Sequence, residues 1–578
     1  MRWQFLMLKV ASLLQQSLPS VPHFEPIKPT TTLHKAFNRL PPAMQGLEST
    51  PVQIFNLFFP PKLIDLIVMS SNLYAEQKMR EEHGTQERNA RWEAITADEL
   101  KIWLGISIHM GCIGLPPSHY WKNDGKLLGK EGLSTSQFMS SMRFQQIRRY
   151  LHITPPDLVP SSWYGKIKPA FDQLRLASQT YRIPSSNVTI DEAMLRFTGC
   201  SIHITKMPNK PVEQGYKIFA LADKGYVWDF HPYSNALGLD PVSSEVNSLD
   251  PSYSETTKMV LELARHLRLK HRSLEWRIYM DNYFSSVPLF LELRKMGVGA
   301  CGIVKSNLKG FPSEFKEVNK KSKLDYHFKT GVVKEDVGVL IWMDSAPVTM
   351  MTTIHSLHAE DLKYRWHPGQ KSSNAAGANQ VFQGTSGMEL NIPKVILEYN
   401  QYKVGVDVAD QYRTYYDTQL TSRRNWYPLF YWVLETALIN CLIIDYDTKK
   451  EEIEHLDFRL EVAWGLIEEG VARCTGPGIG KKHLRNDHES TPTTTSSKAR
   501  RLTSKTQLPL QRFDGGSHLP VYMDGMRRDC FFCRWKRAQG VPGIQNLDPP
   551  RTRWKCSSCN EPLCLSSERN CFITFHSK

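Results

Sequence analysis

The sequence predicts an α/β protein of several domains, and three changes of texture along the chain carry that reading. Helical periodicity dominates to about Ile183, β-branched and aromatic runs then alternate with capped helices, and six cysteines crowd into the last fifty residues. A chain of 578 residues also exceeds what one ordinary core fills, so about three or more domains are expected.

Residues 1–48 include "PSVPHFEPIKPTTT", too rich in Pro and Thr to build a core, and are expected to form a flexible arm. The opening "MRWQFLMLKVASLLQQSLPS" has the outline of a signal peptide, but Lys9 and the glutamines break its apolar run and no small-residue cleavage box is evident. Across 49–184, spacings such as Ile54, Leu57, Phe58 and Leu100, Trp103, Leu104 set apolar residues on single helical faces. Residues 185–304 change character. "NVTIDEAMLRF" and "YKIFALADKGYVWDF" read as strands, with Asp223-Lys224-Gly225 as a turn between two of them. Val260, Leu263, Ala264 and Leu267 then recur at helical spacing behind the cap residue Ser254, and the strand "EWRIYMD" follows. "SVPLFLELRKMG" places Pro288 early in a helix and Gly297 just past its end, before the strand "VGACGIV". These elements make an α/β core.

Residues 305–391 read as an insertion, with "VGVLIWMD" and "VTMMTTIHS" as strands joined at "SAP". The core resumes over 392–417, where "YKVGVDVADQY" sets Asp407 and Asp410 three positions apart on one side of a helix and Val408, Tyr412, Tyr415 and Tyr416 form a packable stripe. Residues 418–472 supply two more helices. The longest apolar run, "PLFYWVLETALINCLII", is shorter than a bilayer span and contains Glu435 and Asn440, so a buried helix is expected and no membrane protein is indicated. Residues 473–517 are a basic Gly, Ser and Thr-rich linker, whose "GKKHLR" and "KARRLTSK" suit either nuclear import signals or solvated charge.

Lys and Arg outnumber Asp and Glu by 72 to 58, and from Arg473 onward there are 19 basic against 8 acidic side chains. A basic tail on a nearly neutral body points to a polyanionic partner. Scattered single cysteines in the body suit an intracellular protein.

Two further aspartates bear on chemistry. Asp191 follows "NVTI" and Asp281 ends "WRIYMD". The first strand and the strand returning after a crossover helix are neighbours in such a core, so the two can converge, and a helix across the sheet can add Asp407. Three carboxylates within ~4 Å repel by ~1 to 4 kcal/mol per pair and need cations. Oxygen ligands with room for water and phosphate suit Mg²⁺ or Mn²⁺, and a pair of such ions serves phosphodiester displacement.

Residues 518–578 hold Cys530-x2-Cys533, Cys556-x2-Cys559, Cys564, Cys571 and His576, with His518 upstream, a donor set for two tetrahedral Zn²⁺ ions. Arg534, Lys536, Arg537, Arg551 and Arg553 give this segment a basic surface suited to a polyanion, while Trp535 and Trp554 suit a minimal core around the metals.

"NVTIDEAM", "MPNKP", "YMDNYFSS" and "YNQYKVGVDVADQYRTYY", in this order, resemble the transposase domain of the piggyBac transposable element-derived proteins, over about residues 50–470. The resemblance implies an RNase H-like DDE/D catalytic core, with Asp191, Asp281 and Asp407 at the catalytic positions and Asp410 at an additional acidic one. It further implies an insertion domain, a split helical domain for dimerisation and DNA binding, cleavage at inverted-repeat ends through hairpins, integration at TTAA, and a C-terminal cysteine-rich domain that binds double-stranded DNA ends. Where that family commonly has two glycines before Val-Asp, this chain has Val404-Gly405. The leading expectation is a nuclear, homodimeric DNA transposase or a domesticated derivative. A non-enzymatic DNA-binding or chromatin protein on the inherited fold is an alternative, because aspartates are necessary for catalysis but not sufficient. A zinc-finger histone reader or ubiquitin ligase is another, although RING modules need a second closing C-x-x-C and PHD fingers normally have His where Cys564 stands.

Overall fold

Apolar residues spaced through a Pro-rich stretch need a surface to bury against, and in the computed structural model they find one. The structure describes residues 20–473 except 29–31, 46–48, 82–91, 122–134, 209, 240–241, 306–310, 316–323, 370–374 and 451–452, and residues 518–576 except 524–526, 539–548, 558, 560 and 567–569. Phe24 and Leu40 are buried, the Ile27 N–H donates to the Thr353 carbonyl at 2.7 Å, and β1 (Phe37–Asn38) pairs antiparallel with β2 (Arg182–Ile183). The flexible arm expected over 1–48 is therefore docked wherever it is described. Proline holds such a segment extended at little entropic cost, leaving its remaining side chains and N–H groups to bind the body. Residues 1–19 and most of the basic linker, 474–517, lie outside the described residues.

Helices follow where the periodicity predicts them: α1 (Pro51–Phe58), α2 (Pro61–Glu81), α3 (Ala97–Ile113), α4 (Ser141–Tyr150) and α5 (Lys168–Tyr181). Their ends are set locally. Thr96 accepts from the Glu99 N–H at 3.2 Å and Ser140 from the Arg143 N–H at 3.1 Å, satisfying first-turn donors.

The sheet begins with β3 (Asn187–Arg196), β4 (Thr205–Lys206), β5 (Gln214–Asp223), β6 (Tyr226–Ser234) and β7 (Gly238–Leu239). Lys224 and Gly225 take φ angles of 48° and 94° in the β5–β6 turn, the conformation the Asp-Lys-Gly signal anticipates. Helix α6 (Glu255–Lys270), capped by Ser254, leads to β8 (Trp276–Met280), and α7 (Val287–Lys295) leads to β9 (Val298–Ile303). Next come β10 (Lys329–Lys334), β11 (Val337–Met343), β12 (Pro347–Thr352), β13 (Glu360–Trp366) and β14 (Gly387–Pro393). The order across the sheet is β10-β11-β12-β9-β8-β3-β5-β6-β7, with β4 on β5. Among the described residues, only β3–β8 and β8–β9 are parallel. The segment read as an insertion thus lends three strands to the main sheet, while β13 and β14 form a separate ribbon. Every residue of β11 is buried, as a strand covered on both faces should be.

Helices α8 (Lys394–Tyr402), α9 (Gly405–Tyr415), α10 (Tyr427–Lys449) and α11 (His455–Arg473) complete this unit. Helices α3 and α11 touch through Gly105, where a Cβ would lie 2.6 Å from the Ala463 carbonyl oxygen. Helix α10 is long and apolar enough to cross a membrane, yet it is buried inside the fold. Two of its buried polar residues find partners there. Glu435 pairs with buried Arg459, and the Asn440 amide donates to the Val227 carbonyl at 2.8 Å and accepts from the Val227 N–H at 3.0 Å.

A charged network ties α5, β6 and α6 together. Buried Asp229 accepts from Arg175 at 2.8 Å and meets His266 at 2.6 Å, and His266 also reaches Glu262 at 3.2 Å. Burial alone would lower the His266 pKa, but the bonds to Asp229 and Glu262 outweigh it and hold it up at about 9. A raised folded-state value stabilises the fold fully below the unfolded histidine pKa of about 6.5 and loses that contribution as the pH rises through about 9. The unfolding free energy is therefore expected to fall by up to about 3 kcal/mol as the pH rises from 6.5 through about 9, read from denaturation curves, and His266→Gln should flatten that slope.

The described residues of the C-terminal unit form two short ribbons and two short helices. Strand β15 (Pro520–Tyr522) pairs with β18 (Trp554–Cys556), and β16 (Arg528–Asp529) with β17 (Arg551–Thr552). Helices α12 (Phe531–Ala538) and α13 (Cys571–His576) enclose a core of Phe531, Phe532, Leu563, Phe572 and Phe575.

Candidate active site and metal module

The parallel register of β3 and β8 places Ile190 opposite Met280, the last residue of β8. Asp191 and Asp281 come next on each chain and so lie side by side where β8 leaves the sheet. Strand β3 runs through Asp191 to Arg196, as the strand reading of "NVTIDEAMLRF" expects, and β5 pairs with it as far as Gly215. Asp281 opens a turn, its Oδ1 accepting from the Tyr283 N–H at 2.7 Å and its carbonyl from the Ser285 hydroxyl at 2.8 Å.

Helix α9 reaches the same place because small residues line its inner face. Gly405, Val406 and Ala409 are buried, and a Cβ on Gly405 would meet the Ala222 carbonyl oxygen at 3.0 Å and the Thr189 Cβ at 3.3 Å. The Gly225 N–H donates to the Gly405 carbonyl at 3.0 Å, and the Thr189 hydroxyl donates to the Tyr402 carbonyl. Asp407 stands exposed in the first turn. The expected stripe of Val408, Tyr412, Tyr415 and Tyr416 is only a flank, with Tyr415 53% exposed, since the helix rolls its smallest residues onto the sheet. Val404 has an ordinary φ of −86°, so no glycine is required there.

Burial, then like charges, sets the electrostatics. Burial, then Glu192, then Asp281 and Asp407 push the Asp191 carboxyl up to about 8, against one backbone hydrogen bond. Burial and Glu192 also raise Asp281, with Lys210 opposing. Asp410 is raised by burial against its ion pair with Arg413. Carboxylates that hold one another's protons this way are an oxygen donor set suited to a hard divalent cation. Glu192 belongs to the same cluster. Its Oε1 lies 3.0 Å from the Lys210 ammonium and its Oε2 3.9 Å from that of Lys217, and Oε2 is buried without a hydrogen-bond partner.

In the C-terminal unit the eight candidate ligands separate into two groups. Cys530, Cys533, Cys564 and Cys571 form one, and His518, Cys556, Cys559 and His576 the other, with the donor atoms of each group within 4.8 Å of one another. Sulfur separations of 3.4 Å and 3.9 Å within the first, and nitrogen–sulfur separations of 3.4 Å within the second, approach the ~3.8 Å edge of a tetrahedron with ~2.3 Å Zn–S bonds. His576 Nδ1 meets the Phe572 carbonyl at 2.7 Å, which directs Nε2 to Cys559. The donor sets fit zinc. Arg534, Lys536 and Arg537 share α12, and Arg551 and Arg553 are exposed on either side of buried Thr552. Arg551 faces Asp529 at 3.6 Å, and Arg553 donates to the Tyr522 hydroxyl at 2.9 Å. Trp535 packs on the small core, whereas Trp554 sits edge-on to half-exposed Tyr522.

The family described as Transposase IS4 matches residues 50–442. The chain belongs to the piggyBac-type transposase family. PiggyBac transposable element-derived protein 3 of Homo sapiens is 26% identical over 425 residues, a match covering 72% of this chain and 65% of the relative. PiggyBac transposable element-derived protein 2 of Homo sapiens is 26% identical over 455 residues, covering 77% and 69%. The chain thus spans just under two thirds of the first relative's length. The solved structure of the piggyBac transposase synaptic complex with hairpin DNA superposes with a TM-score of 0.61 at 19% identity, covering 89% of this chain and 95% of that one, so the fold is shared.

Within this piggyBac-type fold, three charged residues at the aspartate cluster were not singled out from the sequence as site candidates. Glu192 directly follows Asp191, Lys210 lies within "MPNKP", and Lys217 is the one cation in "YKIFALA". A lysine inside a strand buried on both faces was the available signal, since such a charge persists only with a partner.

Proposed function

We propose that this chain is a piggyBac-like DNA transposase, or a domesticated derivative, that cleaves and joins DNA strands at Asp191, Asp281 and Asp407, with Asp410 supporting Asp407. The observation that carries the reading is the register setting Asp191 beside Asp281 under the first turn of α9. The order β6-β5-β3-β8-β9, three antiparallel strands then two parallel ones, supports an RNase H-like core. The packing of α3 on α11, from opposite sides of that core in the chain, supports a split helical domain for dimerisation and DNA binding. Asp191, Asp281 and Asp407 would hold Mg²⁺ or Mn²⁺, which when bound stabilises the attacking and leaving oxygens of a phosphodiester. The residues themselves position: the Tyr283 N–H fixes the Asp281 carboxylate, and the close seat of Gly405 fixes the height of Asp407. The C-terminal module, with two Zn²⁺ ions, would grip duplex ends through Arg534, Lys536, Arg537, Arg551 and Arg553. The site of action would be the nucleus, on inverted-repeat ends flanked by TTAA, by a homodimer. An excision assay on a donor carrying the flanking inverted repeats tests this. Excision in Mg²⁺ that stops with EDTA is expected; DNA binding without excision in Mg²⁺ or Mn²⁺ would instead leave a DNA-binding protein on an inherited fold.

A further inference from the structure

Glu192 is matched by two ammonium groups in very different surroundings. Lys217 is 4% exposed, with its nitrogen 4.2 Å from the centre of the Tyr283 ring and 4.7 Å from that of Phe219, so it is enclosed and stays with Glu192. Lys210 is 45% exposed, while the Glu192 side chain it pairs with is only 5% exposed. It is delivered from a turn after β4, where the Met207 N–H donates to the Glu213 carbonyl at 2.8 Å and the Lys210 N–H to the Met207 carbonyl at 3.3 Å. Pro208 and Pro211 flank it and restrict the backbone. Asp191 and Asp407 both act on its charge, which places the ammonium at the mouth of the aspartate cluster.

A buried carboxylate needs one lasting counter-charge, and Lys217 supplies it. Lys210, at the solvent end, can therefore exchange Glu192 for another anion while the Lys217 ammonium stays 3.9 Å from the carboxylate as an opposite charge. Of the two ammoniums beside Glu192, only that of Lys210 is exposed enough to meet a phosphate that approaches these carboxylates. A lysine is a point charge on a flexible four-carbon stem, suited to following a phosphate oxygen over a few ångströms. We propose that Lys210 grips a non-bridging phosphate oxygen of the DNA strand entering the aspartate cluster, and that Glu192 is a positioning residue which parks the ammonium there until DNA arrives. This rests on the reading of the cluster as a strand-cleaving site.

The test uses the full chain and a duplex carrying the flanking inverted repeat joined to TTAA, with a neutral methylphosphonate placed at one backbone position at a time. Binding is measured in Ca²⁺ and cleavage in Mg²⁺. Wild-type protein is expected to lose about tenfold in affinity at one phosphate near the cleavage point. Lys210→Met should lose a similar factor on unmodified DNA, become insensitive to the methylphosphonate at that phosphate alone, and lower the slope of log K against log salt by ~0.9. Lys210→Arg, which keeps the charge, should restore most of the binding. If Lys210→Met and wild type show the same pattern across all positions, or if wild type binds no DNA, the proposal is overturned. Wild-type binding without cleavage in Mg²⁺ would defeat the strand-cleaving reading alone, because the pattern in Ca²⁺ still decides whether Lys210 holds a phosphate.

Discussion

Replacing Asp281 by asparagine is expected to lower DNA nicking by at least about 10²- to 10³-fold while leaving affinity for the same duplex unchanged or tighter. The amide keeps an oxygen to accept from the Tyr283 N–H, so the turn after β8 survives. What disappears is a charge that binds a divalent cation and repels phosphate. Asp191 is already pushed up to about 8 by burial and by its acidic neighbours, Asp281 among them, so the variant also relieves repulsion within the cluster. Asp410→Asn should cost far less, because Arg413 on the same helix already balances that carboxylate. Nicking and gel-shift measurements on one preparation separate the outcomes. Equal loss of binding and cleavage for Asp281→Asn would assign the residue to folding.

Features governed by neighbours in sequence were the legible ones. The Asp223-Lys224-Gly225 turn, the Ser254 cap and the Pro288–Gly297 helix all appear where their residue types place them, since each satisfies its own backbone within a few residues. Asp281 at the end of β8 belongs to this class. The position of Asp191 does not. It lies inside its strand, and only the parallel pairing of β3 with β8 brings it beside Asp281, which no local signal in "NVTIDEAM" reports. Likewise the inner face of α9 was assigned to its large residues, whereas a helix crowded against a sheet turns Gly405 and Ala409 inward. The joining of β12 to β9 and the docking of Phe24 and Leu40 are equally long-range. Glu192, Lys210 and Lys217 meet only through pairing of β3 with β5 and the turn after β4, so as separate residues they carried no sign of a shared site.

Removing zinc should unfold the C-terminal unit while leaving the larger unit folded, and the expected effect is the largest in the molecule. The two donor groups interleave along the chain: His518, then Cys530 and Cys533, then Cys556 and Cys559, then Cys564 and Cys571, then His576, alternating between sites. Each ion would therefore close a loop that contains ligands of the other. The apolar core of five side chains is too small to hold such loops alone, whereas a structural zinc contributes on the order of 10 kcal/mol. Metal analysis of the full chain should find two zinc ions. Cys533→Ser should lose more than one, because freeing α12 from Cys564 and Cys571 also loosens the ribbon that carries Cys556. Chelation should make residues 518–576 sensitive to trypsin while a fragment containing residues 50–442 survives, and DNA affinity should fall with the unit if Arg534 and its neighbours grip duplex ends. A variant that keeps a full second ion would show the sites to be independent, and a chelated protein that keeps its C-terminal unit would show that the cysteines do not hold the fold.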